Sequence, residues 1–109
     1  MDFIYVEDIA EILCRALLDE HGIYDRIFEA GSGRKTTINE IADLVVFLAG
    51  SKSKIIHEPM RAGENGDSIV LADVATLAPL NIRQDNLVSL NIGLVRTIDY
   101  YRKNLESYK

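Results

Sequence analysis

Residues 37–50, TINEIADLVVFLAG, carry a complete set of helix signals. Thr37 and Glu40 have the spacing of a capping box, in which each side chain satisfies a backbone N–H at the helix start. Gly50 suits the left-handed conformation that ends many helices. The apolar residues between them recur at helical spacing and predict one buried face, formed by Ile38, Ile41, Val45 and Leu48.

Short strands are predicted on both sides of this helix. Asp25–Ala30 precedes it and is followed by the turn Gly31-Ser32-Gly33, and Lys54–Glu58 follows it after a polar turn. Strands that are joined through a helix are ordinarily parallel. The order strand, helix, strand therefore predicts an α/β arrangement around residues 37–50.

The N-terminal residues repeat this order. Asp2–Val6 is β-branched and aromatic and predicts a strand. Asp8 is the predicted N-cap of a helix, with Glu11 at capping-box spacing, and His21-Gly22 is its predicted end. The predicted apolar face of this helix consists of Ile9, Ile12, Leu13, Ala16 and Leu17.

The C-terminal residues predict one more extended segment and two helices. Ser68–Ala72 is the extended segment, and Asp73 caps a brief helix expected to end before Pro79. Ser89 caps the last helix, whose predicted buried stripe is Leu94, Ile98, Tyr101 and Leu105. The fold class is thus α/β or α+β, a small two-layer domain of three main helices and three to four short strands.

Composition and charge exclude several classes of function. The 109 residues carry 12 Lys and Arg against 17 Asp and Glu, a net charge of -5, so nucleic-acid binding is not expected. Apolar runs are too short for a membrane span. One cysteine and an acidic N-terminus predict a cytoplasmic protein.

Two sequence patterns suggest a phosphate-binding loop and a metal site, but neither has the residue spacing that such a site requires. Gly31-Ser32-Gly33-Arg34 follows a strand and precedes a helix, but the further glycines of a phosphate-binding loop are missing, so a connecting turn is favoured. His21, His57 and Cys14 lack neighbours at ligand spacing, and Cys14 is expected to be packed, so no metal site is predicted. No catalytic residue and no cofactor site emerge from the sequence.

Residues 55–68, IIHEPMRAGENGDS, are the best candidate for a ligand site. Pro59 ends the preceding strand, and Gly63 lets the backbone bend beside Arg61 and Glu64. A guanidinium fork on such a loop can hold a phosphate. The alternative is a solvated loop whose Arg and Glu have no ligand.

The ordered motifs resemble the C-terminal third of the extended short-chain dehydrogenase/reductases. These are the NAD-dependent nucleotide-sugar epimerases and dehydratases, of which UDP-glucose 4-epimerase is a familiar member. The resemblance covers nearly the whole chain, and it rests on DFIYVEDIA (2–10), EAGSG (29–33), TINE (37–40), PMRAGE (59–64), Asp67-Ser68, Ala72-Asp73, Ser89-Leu90, Gly93-Leu94 and TIDYY (97–101).

The resemblance implies a substrate site in this part of the enzyme. Arg61 would grip the sugar-nucleotide diphosphate, Glu64 would bind the ribose, Phe3 would lie close to the nucleotide, and Ser68 matches a position that sometimes contributes. Relatives often carry Arg where this chain has Met1, which implies weak nucleotide binding by the isolated chain. Relatives also often carry Arg where this chain has Gly66.

Residues 1–109 are therefore expected to be the substrate-binding portion of a UDP- or dTDP-sugar epimerase or dehydratase, inactive alone. NAD would be bound by an N-terminal Rossmann portion that these residues do not include. Partners would be the nucleotide-sugar, the Rossmann portion, or a second copy through an exposed apolar face and strand edge. The alternative is a non-catalytic interaction or dimerisation module that kept the scaffold and lost the ligand.

Overall fold

The computed structural model describes residues 1–18 and 25–108, and these residues are mainly helical. The described residues form three α-helices, α1 (Val6–Leu17), α2 (Ile38–Ala49) and α3 (Leu90–Asn104). Short 3₁₀ helices lie at Val74–Leu80, Gln84–Asn86 and Leu105–Tyr108. The three main helices of the sequence prediction are thus confirmed. None of the described helices is long and apolar enough to cross a bilayer.

The predicted ends of α2 and α3 are confirmed. The hydroxyl of Thr37 accepts from the Glu40 N–H at 3.1 Å, and the Glu40 carboxylate accepts from the Thr37 N–H at 2.6 Å. Gly50 ends α2 in the left-handed region with φ of 60°. Ser89 caps α3 by accepting from the Ile92 N–H.

The start of α1 differs from the prediction. The helix begins at Val6, with Tyr5 as an N-cap that makes no side-chain cap bond, so Asp2–Val6 is not a strand. The Asp8 carboxylate accepts from the Val88 N–H at 2.8 Å instead of capping α1, so a tertiary contact has replaced the expected local one. The predicted end at His21-Gly22 lies outside the described residues.

The predicted strands are not found, so the α/β layer is not confirmed. Among residues 1–18 and 25–108, the β pairing is one antiparallel bridge between Asp2 and Lys35. Two backbone N–H groups that a strand ladder would use donate to side chains instead. The Glu29 N–H donates to the Thr76 hydroxyl, and the Ala72 N–H donates to the Asp2 carboxylate. The predicted strands without a ladder are Asp25–Ala30, Lys54–Glu58 and Ser68–Ala72.

The core lies between α1 and residues 74–87, for which the sequence predicted only a brief helix after Asp73 and an irregular segment from Leu80 to Leu87. Its buried side chains are Ile12, Leu77, Leu80, Ile82 and Leu87, with Leu77 fully buried. Asp73 caps the 3₁₀ helix as predicted, but this helix continues through Pro79. The expected stop before Pro79 was wrong, because burying Leu77 and Leu80 on one face outweighs the disfavoured residue before proline.

The predicted apolar faces are covered only in part. Leu17 on α1 is 80% exposed and Leu105 after α3 is 54% exposed, although both were expected to be buried. The radius of gyration is 16.8 Å, whereas a compact chain of this length has about 13 Å. The chain therefore leaves a large apolar surface open.

Candidate functional site

Two consecutive turns build the loop that carries Arg61. The Glu64 N–H donates to the Arg61 carbonyl at 3.1 Å, and Gly63 has φ of 88°, which fits the third position of a type II turn. In the second turn, the side chain of Asn65 accepts from the Asp67 N–H at 3.0 Å. The sequence therefore fixes this loop through glycine and asparagine rather than through strand pairing.

Arg61 and Glu64 are joined within the first turn. A carboxylate oxygen of Glu64 accepts from the Arg61 backbone N–H at 3.2 Å. Both residues are exposed, and in the part of the chain that the structure describes the Arg61 guanidinium forms no ion pair. An exposed guanidinium without a carboxylate partner can bind an added anion at little cost.

Phe3 and Ser68 line one cavity of about 610 Å³. Its three walls are residues 1–3, 29–31 and 65–72, and polar groups are contributed by Glu29 and Asn65. Arg61 and Glu64 do not line this cavity, although their turn immediately precedes Asn65. The structure thus brings together two predicted site residues in a cavity and two in a turn.

The carboxylate of Asp2 is the centre of a hydrogen-bond cluster that the sequence prediction did not identify. Its Oδ1 accepts from the Ser32 N–H at 2.7 Å and from the Ser32 hydroxyl at 2.6 Å. Its Oδ2 accepts from the N–H groups of Gly33 at 2.9 Å and Ala72 at 3.0 Å. We call these four residues the Asp2 cluster.

Hydrogen bonding lowers the pKa of Asp2. Partial burial alone would raise this pKa, but the bonds from the Ser32 hydroxyl and from the Ala72, Gly33 and Ser32 N–H groups outweigh it. The carboxylate therefore remains charged at neutral pH. A lone Asp in an N-terminal apolar stretch gave no sequence signal for this role, because its donors lie 30 to 70 residues away.

The Gly31-Ser32-Gly33 turn binds the Asp2 carboxylate and is not an open phosphate-binding loop. The N–H groups of Ser32 and Gly33 already donate to the Asp2 carboxylate. Gly33 has φ of 70°, and a Cβ there would lie 2.6 Å from a methyl of Val74. The glycines are thus needed for close packing, which supports the connecting turn predicted from the sequence.

A larger cavity of about 710 Å³ lies between residues 3–7 and α3. Its lining is mostly apolar, and the Arg96 guanidinium lies 5.7 Å from the centre of the Tyr5 ring. Gly93 of α3 lies against Tyr5, and a Cβ there would make an ordinary van der Waals contact with the Tyr5 side chain at 3.4 Å. Phe3 lines both cavities.

Metal-ligand residues do not converge among residues 1–18 and 25–108, where no group of three His, Cys, Asp or Glu could hold an ion. His57 contacts the side-chain oxygen of Asn39 at 3.2 Å. Cys14 is exposed, so the expectation that its thiol is packed was wrong. His21 lies outside the described residues.

Comparison with known proteins gives relatives of one kind. GDP-L-fucose synthase 1 of Arabidopsis thaliana is 34% identical over 104 residues, which are 95% of this chain and 30% of the relative. A candidate GDP-L-fucose synthase 2 of the same plant is 31% identical over 99% of this chain and 31% of its own length. A candidate UDP-glucose 4-epimerase of Methanocaldococcus jannaschii is 25% identical over 94% of this chain and 31% of its own length.

The chain spans about a third of the length of the curated relatives it matches. No protein-family model matches it, and no solved structure matches it. The relatives that it matches include a GDP-L-fucose synthase and a candidate UDP-glucose 4-epimerase. The chain is related to the extended short-chain dehydrogenase/reductases, and its match is consistent with a C-terminal portion of them.

Proposed function

We propose that this chain is the nucleotide-sugar-binding portion of an extended short-chain dehydrogenase/reductase. The observation that carries the proposal is the cavity that Phe3 and Ser68 line. Asn65, which also lines it, directly follows the turn that joins Arg61 and Glu64. A cavity of about 610 Å³ is in the range of small-molecule sites. The names of the relatives agree with this ligand class.

Each residue has a role in this proposal. Arg61 binds the diphosphate through its exposed guanidinium, and Glu64 binds the ribose. Phe3 packs against the nucleotide, and the Ser68 hydroxyl donates to it. The catalytic residues and the NAD site belong to the remainder of such an enzyme, so these residues alone catalyse nothing. A cytoplasmic location belongs to the same proposal.

An NMR titration tests the assignment of Arg61 and Glu64. UDP-glucose and GDP-L-fucose are added to millimolar concentration, and we expect the amide resonances of residues 61–64 to shift. Arg61→Gln should abolish these shifts, because the charge-assisted bonds to the diphosphate are lost. Arg26→Gln, which changes another exposed Arg, is the matched control and should keep them. Unchanged residues 61–64 in the wild type would refute the proposed function.

The exposed apolar surface supports a further protein partner. The accessible area is 8707 Å², against about 6,100 Å² for a compact monomer of this mass. Side chains such as Ile27, at 85% exposure, and Phe47, at 80%, contribute to the excess. We propose that this surface packs on the Rossmann portion of the enzyme or, in its absence, on a second copy.

The same surface favours the second candidate function, a non-catalytic interaction module. Sedimentation at increasing protein concentration tests the association. A monomer at all concentrations would refute self-association. Self-association without any shift of residues 61–64 would favour the interaction module over the ligand-binding portion.

A further inference from the structure

We propose that Asp2 is a positioning residue for the ligand site: its carboxylate fixes the three walls of the cavity that Phe3 and Ser68 line. The ligand part of this inference rests on the proposed function. The structural part concerns the chain alone and is tested without a ligand.

The walls of the cavity come from three segments that no strand ladder joins. Asp2 belongs to the first wall, residues 1–3. Its carboxylate accepts from Ser32 and Gly33, directly after the second wall, and from Ala72, the last residue of the third. One side chain therefore connects all three walls at distances between 2.6 and 3.0 Å.

Only a carboxylate matches this set of donors. Two N–H groups face one oxygen, Oδ2, and an N–H and a hydroxyl face the other, Oδ1. An ionised carboxylate accepts at both oxygens, whereas an amide accepts at one and donates at the other. An asparagine at this position would turn an N–H group toward two of the donors.

Gly31 makes the approach of the walls possible. A Cβ at this position would lie 2.6 Å from the Ala72 Cβ and 2.7 Å from Oδ2 of Asp2. The second and third walls can therefore meet only around a residue without a side chain. This contact lies beside the Asp2 cluster, so the carboxylate bonds to both segments close to the place where the second and third walls meet.

The Asp2 cluster sets the separation of Phe3 and Ser68, which are not members of the cluster. Phe3 follows Asp2 directly, and Ser68 lies four residues before Ala72, so a displacement at Asp2 changes their separation. The ligand is then held less well although both of its contacts are still present. This indirect action distinguishes Asp2 from Phe3 and Ser68.

NMR of the ligand-free chain tests the positioning role. In Asp2→Asn, we expect the ring resonances of Phe3 and the amide of Ser68 to shift, while the resonances of α2 stay unchanged. Hydrogen exchange of the Ser32, Gly33 and Ala72 amides should accelerate at least about tenfold. Unchanged Phe3 and Ser68 resonances would overturn the inference.

Matched variants separate positioning from charge and from loss of folding. Asp43→Asn removes the same charge from an exposed position of α2 and should leave Phe3 and Ser68 unchanged. Ser32→Ala removes the hydroxyl that donates to Asp2 and accepts from the Arg34 N–H, but it keeps the carboxylate and its three bonds from N–H groups, so it should move the same resonances less. If Asp2→Asn does not fold, the absence of any shift in Ser32→Ala would overturn the inference.

Acidification supplies an independent signature. Protonation of Asp2 should move the wild-type Phe3 and Ser68 resonances in the direction seen in Asp2→Asn, and the variant should lack this step. A wild-type chain whose two resonances do not respond to acid before unfolding would contradict the positioning role.

The ligand arm uses UDP-glucose and GDP-L-fucose with wild type and variants. Where the wild type binds, Asp2→Asn should raise Kd about tenfold, and equal affinity would overturn the inference. Where the wild type binds neither compound, the proposed function fails. The ligand-free resonances then still decide whether Asp2 positions the walls.

Discussion

Replacing Leu77 with Ala should destabilise the chain strongly, because Leu77 is the fully buried centre of the core. The change removes three buried carbon atoms, worth about 0.8 kcal/mol each, or about 2.4 kcal/mol together. The cavity left behind raises the expected loss to about 3–4 kcal/mol. Such a loss is a large part of the stability of a small domain, which is about 5–15 kcal/mol.

Urea unfolding followed by circular dichroism measures this loss. With a slope of about 1.5 kcal/mol per molar urea, the midpoint should fall by about 2 M. Leu17→Ala is the control, since Leu17 is 80% exposed on α1 and its replacement should cost less than about 0.5 kcal/mol. Equal midpoints for the two variants would refute the packing of the Val74–Leu80 helix on α1.

Three further predictions follow from the Asp2 cluster, the glycines and the N-terminus. Because the pKa of Asp2 is lowered from its ordinary value of 3.8, its stabilisation is present above that pH and is lost as the pH falls through the folded-state pKa. The pKa of Glu40 is also lowered, so Glu40 also loses stabilising free energy on acidification. The contribution of Asp2 is therefore measured by urea titrations at several pH values, as the difference between wild type and Asp2→Asn in how far acid lowers the free energy of unfolding. An equal decrease in the two proteins would contradict the prediction. Gly33→Ala should lower the melting temperature more than Gly50→Ala, since both have positive φ but only the first would place a Cβ within 4 Å of other atoms; equal losses would show that this contact does not exist. Met1→Arg, behind a new initiating methionine, should tighten nucleotide-sugar binding about tenfold or more through one charge-assisted bond of about 1.5–3 kcal/mol, and an unchanged Kd in calorimetry would contradict the diphosphate assignment.

The candidate site was partly predictable from the sequence. Pro59, Gly63 and the spacing of Arg61 and Glu64 indicated a bent loop, and the structure shows the turn that joins the last two. The shared cavity of Phe3 and Ser68 was not readable from spacing, because its walls come from three distant segments. Their inclusion in the prediction came from the resemblance to a family.

Local signals decided both ends of α2 and the start of α3. The Thr37–Glu40 capping box, Gly50 and Ser89 mark helix ends at the predicted residues, because each acts on N–H groups or backbone angles within a few residues. The predicted strands failed for the opposite reason. A strand needs a partner distant in sequence, and no local pattern states whether that partner is present.

The tertiary structure alone decided where the core lies and what holds the segments together. Leu77 and Leu80 continue a helix through Pro79 because their burial against α1 outweighs the local preference. Asp2 became the link between three walls because donors up to 70 residues away converge on it. The sequence by itself determined both ends of α2 and the start of α3, whereas long-range burial and hydrogen bonding determined the core and the geometry of the candidate site.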